Sequence, residues 1–509
     1  MSFTPPARAA DRRAWHTAIE ALEEHEVTAS HPTIDVAEII ESRALGRSAV
    51  RLVLACWLVT FFDGYDMNVI AFAAPYFAPA YHLNKVMLGH IFSAALAGTL
   101  LGGFLFGGLG DRIGRRAAII AATASFGALT LALSLATGYW SFIALRFAAG
   151  LALGGAIPLT WALGTEYVGT RYRATMVTLI MLGYGFGVST AGPISVFLIP
   201  RFGWLAVFAF GGATSIVASL LLLAVLPESL RFLAASGRRP AVLARAVRRL
   251  APEREVPITA RFVLSDETPS ATESNRPAGP LGGGAPVSLL ARLRESARNV
   301  SALFDGELRW ITPLLWTGYI VSSMTTFFLT SWGPIVYEGL GFSRSSAAWV
   351  TSGNSFAGML GGLAVMRFTD RNGVVSLAVL ALIAVPLLIV AGFAPLSEAP
   401  FIVLLLLLSV FLSGSHFGIT SITGIFYPTA YRGLGTGWAS SVAKFGSIAG
   451  PLIGGFILSS SLPLRQTFAV MAICPAALSA CMLAIGLMQR SAARAARQPA
   501  GARSGGAPA

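Results

Sequence analysis

The chain has 509 residues, of which 55% are hydrophobic and only 12% are charged. A soluble protein of this length carries about twice that charged fraction, so the composition excludes an ordinary soluble domain and indicates a polytopic helical membrane protein. The net charge is +13, and almost all the basic residues are arginines, since Lys85 and Lys444 are the only lysines. These basic residues are concentrated in one set of loops, which argues against a nucleic-acid partner. No catalytic triad, metal cluster or cofactor-binding loop is recognisable, which argues against an enzyme.

Residues 1–49 are polar and mixed in charge, and they are expected to form a cytoplasmic tail with a short surface helix near 36–48. Residues 50–226 form the first set of spans. The first span is expected to end near Pro75, where the helix would lose a backbone donor. The six predicted spans of this half begin near Val50, Val86, Ala117, Tyr139, Ala174 and Trp204.

Residues 227–309 are expected to be a cytoplasmic central loop. Its arginine-rich flanks, 238–254 and 292–298, are typical of basic amphipathic helices on a membrane surface, and the Pro/Gly/Ser/Thr-rich stretch 265–288 predicts disorder. Residues 310–488 hold six more spans, and 489–509 a cytoplasmic tail predicted to be disordered. The spans of this second half begin near Trp310, Ser345, Val374, Pro400, Leu434 and Gln466.

Twelve spans with both termini on one side leave few basic residues on the other side. They are Lys85, Arg201, Arg344 and Arg465. By the positive-inside rule the basic side is cytoplasmic, so we expect a multi-pass protein of the bacterial inner membrane with both termini in the cytoplasm. We expect it to function as a monomer in the bilayer.

The two halves repeat each other at a nearly constant spacing of 259 residues. The matching positions include Asp111 and Asp370, Arg112 and Arg371, Gly114 and Gly373, and Arg173 and Arg432. Such a register indicates gene duplication, and it predicts an all-α fold of two homologous six-helix bundles facing each other across a central path.

Asp63 and Asp66 lie in the middle of the first span and have no counterpart in the second half. A carboxylate there costs roughly 2.5–3.5 kcal/mol on insertion scales, so such residues usually mark function. Three residues apart on a helix, the two share one face and cannot both ionise cheaply. They are candidates for proton coupling, together with Arg146; the alternatives are a tolerated helix contact for the acids and snorkelling for the arginine.

Lys444 lies within the eleventh predicted span and needs a partner, either a substrate carboxylate or an internal acid. A structural ion pair is the alternative. His416 in the tenth span is a candidate for substrate binding or for packing. Tyr65, between the two acids, and Trp316 and Tyr319 in the seventh span are candidates for contact with a substrate ring.

The loop between the second and third spans reads Gly107-Gly-Leu-Gly-Asp111-Arg112-Ile-Gly114-Arg115-Arg116. It resembles the hallmark loop of the major facilitator superfamily, which latches the cytoplasmic gate of those transporters. The resemblance implies a set of gate residues: Gly107, Asp111, Arg112, Gly114, Arg115, Arg116, Glu166, Arg173, Asp370, Arg371 and Arg432.

Within that superfamily the chain resembles the aromatic acid:proton symporters. Their first span carries D-G-x-D and a later proline, here Asp63-Gly-Tyr-Asp66 and Pro75, and two further passages (146–158 and 427–451) are similar. Family members usually have arginine where this chain has Lys444. The resemblance implies import of an aromatic carboxylate, of the benzoate or hydroxybenzoate type, with protons by alternating access. A proton-coupled exporter of drugs or metabolites, an importer of a non-aromatic organic acid and a membrane receptor remain alternatives.

Overall fold

The computed structural model describes residues 33–42, 46–237, 240–250, 260–265, 300–428 and 431–497. A short strand β1 (Thr33–Asp35) and helix α1 (Val36–Glu41) precede the first bundle. The long helices of that bundle are α2 (Arg47–Ala80), α3 (Lys85–Ile113), α4 (Arg115–Ala132), α5 (Tyr139–Thr165), α6 (Arg173–Phe202) and α7 (Leu205–Val225).

Two shorter helices, α8 (Leu230–Ser236) and α9 (Pro240–Leu250), and a strand β2 (Arg261–Val263) follow. The second bundle consists of α10 (Leu308–Gly339), α11 (Arg344–Asn372), α12 (Val374–Phe393), α13 (Glu398–Phe426), α14 (Arg432–Ser459), α15 (Gln466–Met471) and α16 (Ile473–Arg497).

The predicted twelve-helix fold is confirmed. In the described part of the chain, ten spans are long and apolar enough to cross a membrane on length and composition alone. The two other long helices, α10 and α11, have 32 and 29 residues but interrupt their apolar runs with Ser, Thr and Asn side chains. Each occupies the position that the repeat predicts, and these polar side chains become important at the central cavity.

Two predicted helix ends were wrong. The first span, α2, does not stop at Pro75 but passes Pro75 and Pro79 and ends at Ala80. Around Pro75 the helix is well packed, with Ala74 and Phe77 fully buried, and such packing offsets the lost backbone hydrogen bonds. At the C-terminus, α16 continues to Arg497, so residues 489–497 are helical. The rest of the predicted tail lies outside the described residues.

We call the side of the molecule that holds the loop between α3 and α4 the basic face, and the opposite side the far face. Toward the basic face each bundle has its own cluster of buried apolar side chains, built around residues such as Leu52 and Ile119 in one and Leu377 and Ile419 in the other. Toward the far face a single cluster spans both bundles and includes Phe77 and Trp332. The bundles are therefore joined in the far half.

The bundles meet along two main seams, α3 with α14 and α6 with α11, and α2 also contacts α10. On the first seam the backbones nearly touch, since a Cβ on Gly89 would lie 2.8 Å from the Pro451 carbonyl oxygen. The Ser93 hydroxyl donates to the Ile448 carbonyl at 2.7 Å. Because the repeat relates α3 to α11 and α6 to α14, the two seams are symmetry equivalents.

A small unit outside the spans covers the basic face of the first bundle. Strands β1 and β2 pair in parallel, and α1, α8 and α9 bury an apolar cluster that includes Ile39, Leu230 and Val247. The predicted helices near 36–48 and 238–254 are present in part, as α1 and α9, but the apolar side of α9 is covered by this unit. The sheet was not predicted. The expectations for 266–288 and 292–298 lie outside the described residues.

Candidate functional site

Asp66 belongs to a closed ion pair inside the first bundle. Arg146 Nη1 lies 2.8 Å from Asp66 Oδ2, and the Thr130 hydroxyl donates to Asp66 Oδ1 at 2.7 Å. Arg146 also donates to the Asp66 carbonyl at 3.3 Å. Both charged side chains are only 1% exposed. The arginine thus does not snorkel; it neutralises Asp66 in an interior where an unpaired charge would be very costly.

Asp63 has a different environment, although it is also buried. It makes no hydrogen bond with the described residues, and it lies next to Tyr184 of α6. Gly64 causes this proximity, because a Cβ at that position would lie 2.2 Å from the Tyr184 carbonyl oxygen. Only glycine lets α2 approach α6 this closely. The two acids of the motif are therefore not equivalent: Asp66 is neutralised, and Asp63 has open hydrogen-bonding capacity.

Lys444 crosses from the second bundle to the first. Its Nζ donates to the Thr99 carbonyl at 2.8 Å and lies 3.5 Å from the Cβ position of Gly103 on α3. It is close enough to Asp63 for a through-space electrostatic interaction, but the two are not within the 4.0 Å of an ion pair. The other lysine, Lys85, makes the reciprocal contact on the same seam, donating to the Leu458 carbonyl at 2.8 Å. Both lysines therefore tie α3 to α14.

A cavity of about 270 Å³ lies between the bundles at mid-depth. Its lining combines aromatic, methionine and small polar side chains from α2, α3, α6, α10, α11 and α13. Polar groups in the lining include Asn68, Tyr184, Thr330, Ser355 and His416; rings are supplied by Phe92, Phe327 and Phe417. Such a mixture of flat apolar surface and a few polar groups suits a small amphipathic ligand.

Of the predicted substrate residues, His416 lines this cavity. Its Nδ1 lies 3.0 Å from the Ser322 hydroxyl, which orients the ring and leaves Nε2 for a ligand. Asp63 precedes the lining residue Met67 by one helical turn, at the end of the cavity nearer the basic face. Of His416, Asp63 and Lys444, His416 alone lines the cavity, while Asp63 lies one helical turn before Met67 and Lys444 contacts Thr99, three residues after the lining residue Leu96.

Three of the residues predicted to contact a substrate ring lie away from the central cavity, so this part of the prediction needs correction. The Tyr65 hydroxyl donates to the Val207 carbonyl at 3.0 Å, so the ring packs between helices of the first bundle. Trp316 stacks on Trp438, with ring centroids 6.3 Å apart. Tyr319 is buried in the second bundle and accepts from the Thr423 hydroxyl. None of the three lines the central cavity.

Sequence reasoning missed Asn68, Tyr184 and the hydroxyl residues of α10 and α11. A signal was present, because residues 345–355 contain five Ser or Thr and one Asn in a predicted span. Polar side chains at that density are unfavourable against lipid, so they must face a partner helix or a water-accessible space.

The gate residues of the first half form one cluster on the basic face. Asp111 pairs with Arg115 at 2.7 Å, and Arg115 Nε lies 3.5 Å from Glu166. The Ser229 hydroxyl donates to the other Glu166 oxygen. Glu166 lies just beyond the end of α5, and its burial raises the pKa of the carboxyl, against the opposing effects of Ser229 and Arg115. The cluster ties α3, α4 and α5 to the segment before α8.

Gly114 and Arg116 fix the turn between α3 and α4. Gly114 has φ +101° and leaves no room for a Cβ beside the Glu228 carboxylate, which accepts from the Arg116 backbone N–H at 3.0 Å. The other predicted gate residues are not drawn into this cluster. Gly107 faces open space, and Arg173 is half-buried. Arg112, Arg371 and Arg432 are exposed. The side chain of Asp370 lies outside the described part of the structure.

Two repeated helix bundles, two seams and a mid-depth cavity near a carboxylate that no described residue pairs with together define a multi-pass secondary transporter. The chain belongs to the Major Facilitator Superfamily, whose sequence model matches residues 56–343 and 315–504. It is a transporter by fold and family, not an enzyme.

Among its relatives, the 4-hydroxybenzoate transporter PcaK of Pseudomonas aeruginosa is 30% identical over 460 residues, covering 90% of this chain and 97% of the relative. The gallate transporter of Pseudomonas putida is 29% identical over 454 residues, covering 89% and 95%. Among solved structures, the xylose transporter XylE from E. coli in a partially occluded inward open conformation matches with a TM-score of 0.62 at 16% identity, covering 86% of this chain and 98% of XylE.

Proposed function

We propose that this chain imports an aromatic carboxylate together with protons across the bacterial inner membrane by alternating access. The observation that carries the proposal is Asp63: a buried carboxylate without a hydrogen bond to any described residue, one helical turn from a cavity lined with aromatic rings and within electrostatic range of Lys444 of the other bundle. The printed functions of the relatives, transport of 4-hydroxybenzoate and of gallate, support the substrate class.

The proton site in this proposal is Asp63, with Asp66 as a fixed charge. Asp66 already has Arg146 as counter-ion and Thr130 as donor, so a proton would have to displace a buried ion pair. Asp63 has only the distant Lys444. A proton on Asp63 therefore disturbs no local hydrogen bond, which is what a site that loads and unloads in each cycle requires.

Lys444 couples the proton to the substrate. While Asp63 is ionised, its charge favours the ammonium nearby. A substrate carboxylate that binds the Lys444 ammonium removes the counter-charge of Asp63, so Asp63 binds a proton more favourably. Conversely, a proton on Asp63 leaves the Lys444 ammonium available to the substrate. Linkage of this kind is reciprocal, and it makes binding of substrate and proton cooperative. His416, on the same cavity, offers a second contact for the carboxylate.

The seams suggest how the basic face closes. On the first seam Lys85 meets Leu458 and Thr99 meets Lys444 in antiparallel register. Beyond Lys444, toward the basic face, a Cβ on Gly107 of α3 or on Gly437 of α14 would meet nothing within 4 Å. We infer that the conformation is open toward the basic face.

If the residue pairing of the first seam extends along both helices at the same spacing, Asp111 lies opposite Arg432 when the gate closes. On the second seam Gly185 contacts Met359. The same extension there places Arg173 opposite the last turn of α11, which contains Asp370. The two facing pairs are related by the repeat, so each seam would close with one acid and one arginine.

The basic face is cytoplasmic in this proposal, with both termini on that side, because arginine is concentrated there. Each bundle holds its own apolar cluster, and helices of both bundles of the same chain contribute to the cavity wall. We therefore propose that a monomer is the transporting unit.

The test is uptake of labelled benzoate, 4-hydroxybenzoate and a non-aromatic acid such as succinate by proteoliposomes with an imposed inward proton gradient. We expect accumulation of an aromatic acid that collapses when a protonophore removes the gradient. Expulsion of aromatic acid from loaded vesicles under the same gradient would identify an exporter. Binding without accumulation under any gradient would identify a receptor, and either result would refute the proposal.

A further inference from the structure

A second, smaller cavity adjoins the central one on its far-face side. We call it the polar side pocket; its volume is about 50 Å³, and it lies between α10, α11 and α13. Thr326, Thr330, Ser355 and Ser413 line both cavities, so only these side chains separate them. The space is too small for an aromatic ring but larger than a single water or hydroxyl group needs.

The hydroxyl groups around the pocket mostly present oxygen lone pairs. Thr326 and Thr330 donate their hydroxyl hydrogens to carbonyls four residues back, at 3.0 and 2.9 Å. Thr351 and Ser355 do the same at 2.8 and 3.1 Å. Because a hydroxyl has one hydrogen, the four oxygens face the pocket as acceptors only.

Asn354 adds a stronger acceptor. Its Nδ2 donates to the Tyr337 hydroxyl at 3.0 Å, which orients the amide. Its Oδ1 is buried and has no hydrogen-bond partner among the described residues. A buried amide oxygen without a donor is unfavourable. Acceptors therefore outnumber the free hydroxyl hydrogens of Ser409 and Ser413 in this lining, which favours a ligand group that donates a hydrogen bond over a carboxylate, which can only accept.

We propose that the polar side pocket receives a ring hydroxyl of the substrate, which donates to Asn354 Oδ1. This inference rests on the proposed function and narrows its substrate class to hydroxylated aromatic carboxylates. The hydroxyls of Ser409 and Ser413 make no hydrogen bond with described residues, so they can donate to the ring hydroxyl oxygen. The carboxylate then lies at the opposite end, toward His416 and Lys444, with the ring between Phe92 and Phe327.

The experiment compares hydroxybenzoate with benzoate in one assay. Uptake of both is measured in proteoliposomes for the unmodified chain, for Asn354→Leu and for Ser409→Ala, with 2-, 3- and 4-hydroxybenzoate as separate substrates. The readout is the ratio of transport efficiency for the best hydroxybenzoate to that for benzoate. We expect Asn354→Leu to lower this ratio by about 5- to 150-fold, since loss of a buried acceptor removes one hydrogen bond from the hydroxylated acid alone.

Ser409→Ala is expected to lower the same ratio by a few-fold, and it breaks no internal hydrogen bond, so it tests the pocket even if Asn354→Leu folds poorly. Ser421→Ala is the matched control on the same helix: its side chain is exposed, and it donates only to Gly418. A ratio unchanged within twofold in both pocket variants would overturn the inference and leave only water in the pocket. Equal losses for benzoate and hydroxybenzoate would also overturn it, as a structural effect. If the unmodified chain transports benzoate and no hydroxybenzoate, the subsite fails while the proposed function stands; if it transports no aromatic acid, both fail.

Discussion

The two acids of α2 should respond in opposite ways to the same conservative substitution. Asp66→Asn leaves the Arg146 guanidinium in an interior where the pair is 1% exposed, without its counter-ion. Removing one partner of a buried ion pair typically costs about 3–5 kcal/mol. Asp63→Asn leaves no partner unpaired, because Asp63 has no hydrogen bond with the described residues and no ion pair within 4.0 Å. We expect Asp66→Asn to destabilise the fold strongly and Asp63→Asn to leave it intact.

The assays are thermal unfolding of the purified protein in detergent, and uptake and counterflow in proteoliposomes. Asp63→Asn should keep the parent's unfolding temperature and exchange substrate down its gradient, but it should fail to accumulate substrate under an imposed proton gradient. Asp66→Asn should unfold at a clearly lower temperature. The double variant Asp66→Asn with Arg146→Gln should recover much of that loss, because it removes the unpaired charge.

Two results would refute this reasoning. If Asp63→Asn accumulates substrate like the parent, then Asp63 is not the coupling site. If both single variants unfold alike and the double variant recovers nothing, then the Arg146–Asp66 pair does not set the stability of the first bundle.

Lys444→Ala should raise the half-saturation concentration about 10- to 150-fold, because it removes one charge-assisted contact. Lys444→Arg should keep part of the transport. If Lys444→Ala leaves the half-saturation concentration unchanged and lowers only the maximal rate, the residue is structural. Asp111→Ala should abolish uptake with an unchanged amount of folded protein, since its exposed pair with Arg115 contributes little stability, and full uptake would contradict the gate. Because burial raises the pKa of Glu166, the folded chain binds that proton more tightly than the unfolded chain, so this contribution to stability is lost as pH rises above about 4.5. Glu166→Gln should flatten the dependence of unfolding temperature on pH above about 4.5, and equal slopes in both proteins would contradict this.

The sequence by itself determined the spans and their duplication. An apolar run of membrane length forms a helix in lipid, because every backbone polar group must find its hydrogen-bond partner within the segment. The start of each span was therefore predictable to within about three residues. The end at Pro75 was not, because packing around Phe77 decides whether a proline stops a helix. The pairing of β1 with β2 joins segments more than 200 residues apart, and no local pattern encodes it.

The candidate site divides in the same way. The sequence identified Asp63, Asp66 and Arg146 as costly charges that need partners, since the cost of a charge in lipid depends on residue type and depth alone. Which partner each one has depends on the directions of side chains on different helices. Only the tertiary structure pairs Arg146 with Asp66, leaves Asp63 open and turns Tyr65 away from the cavity.

The polar side pocket shows the same limit most clearly. The Ser, Thr and Asn residues of α10 and α11 are visible in the sequence, but their hydroxyl hydrogens are used by their own helices. Whether Asn354 has a donor depends on what the neighbouring helices bring to it. The sequence determined which polar atoms enter the membrane, and only the packing of three helices decided that one of them, Asn354 Oδ1, has no partner in the described part of the chain.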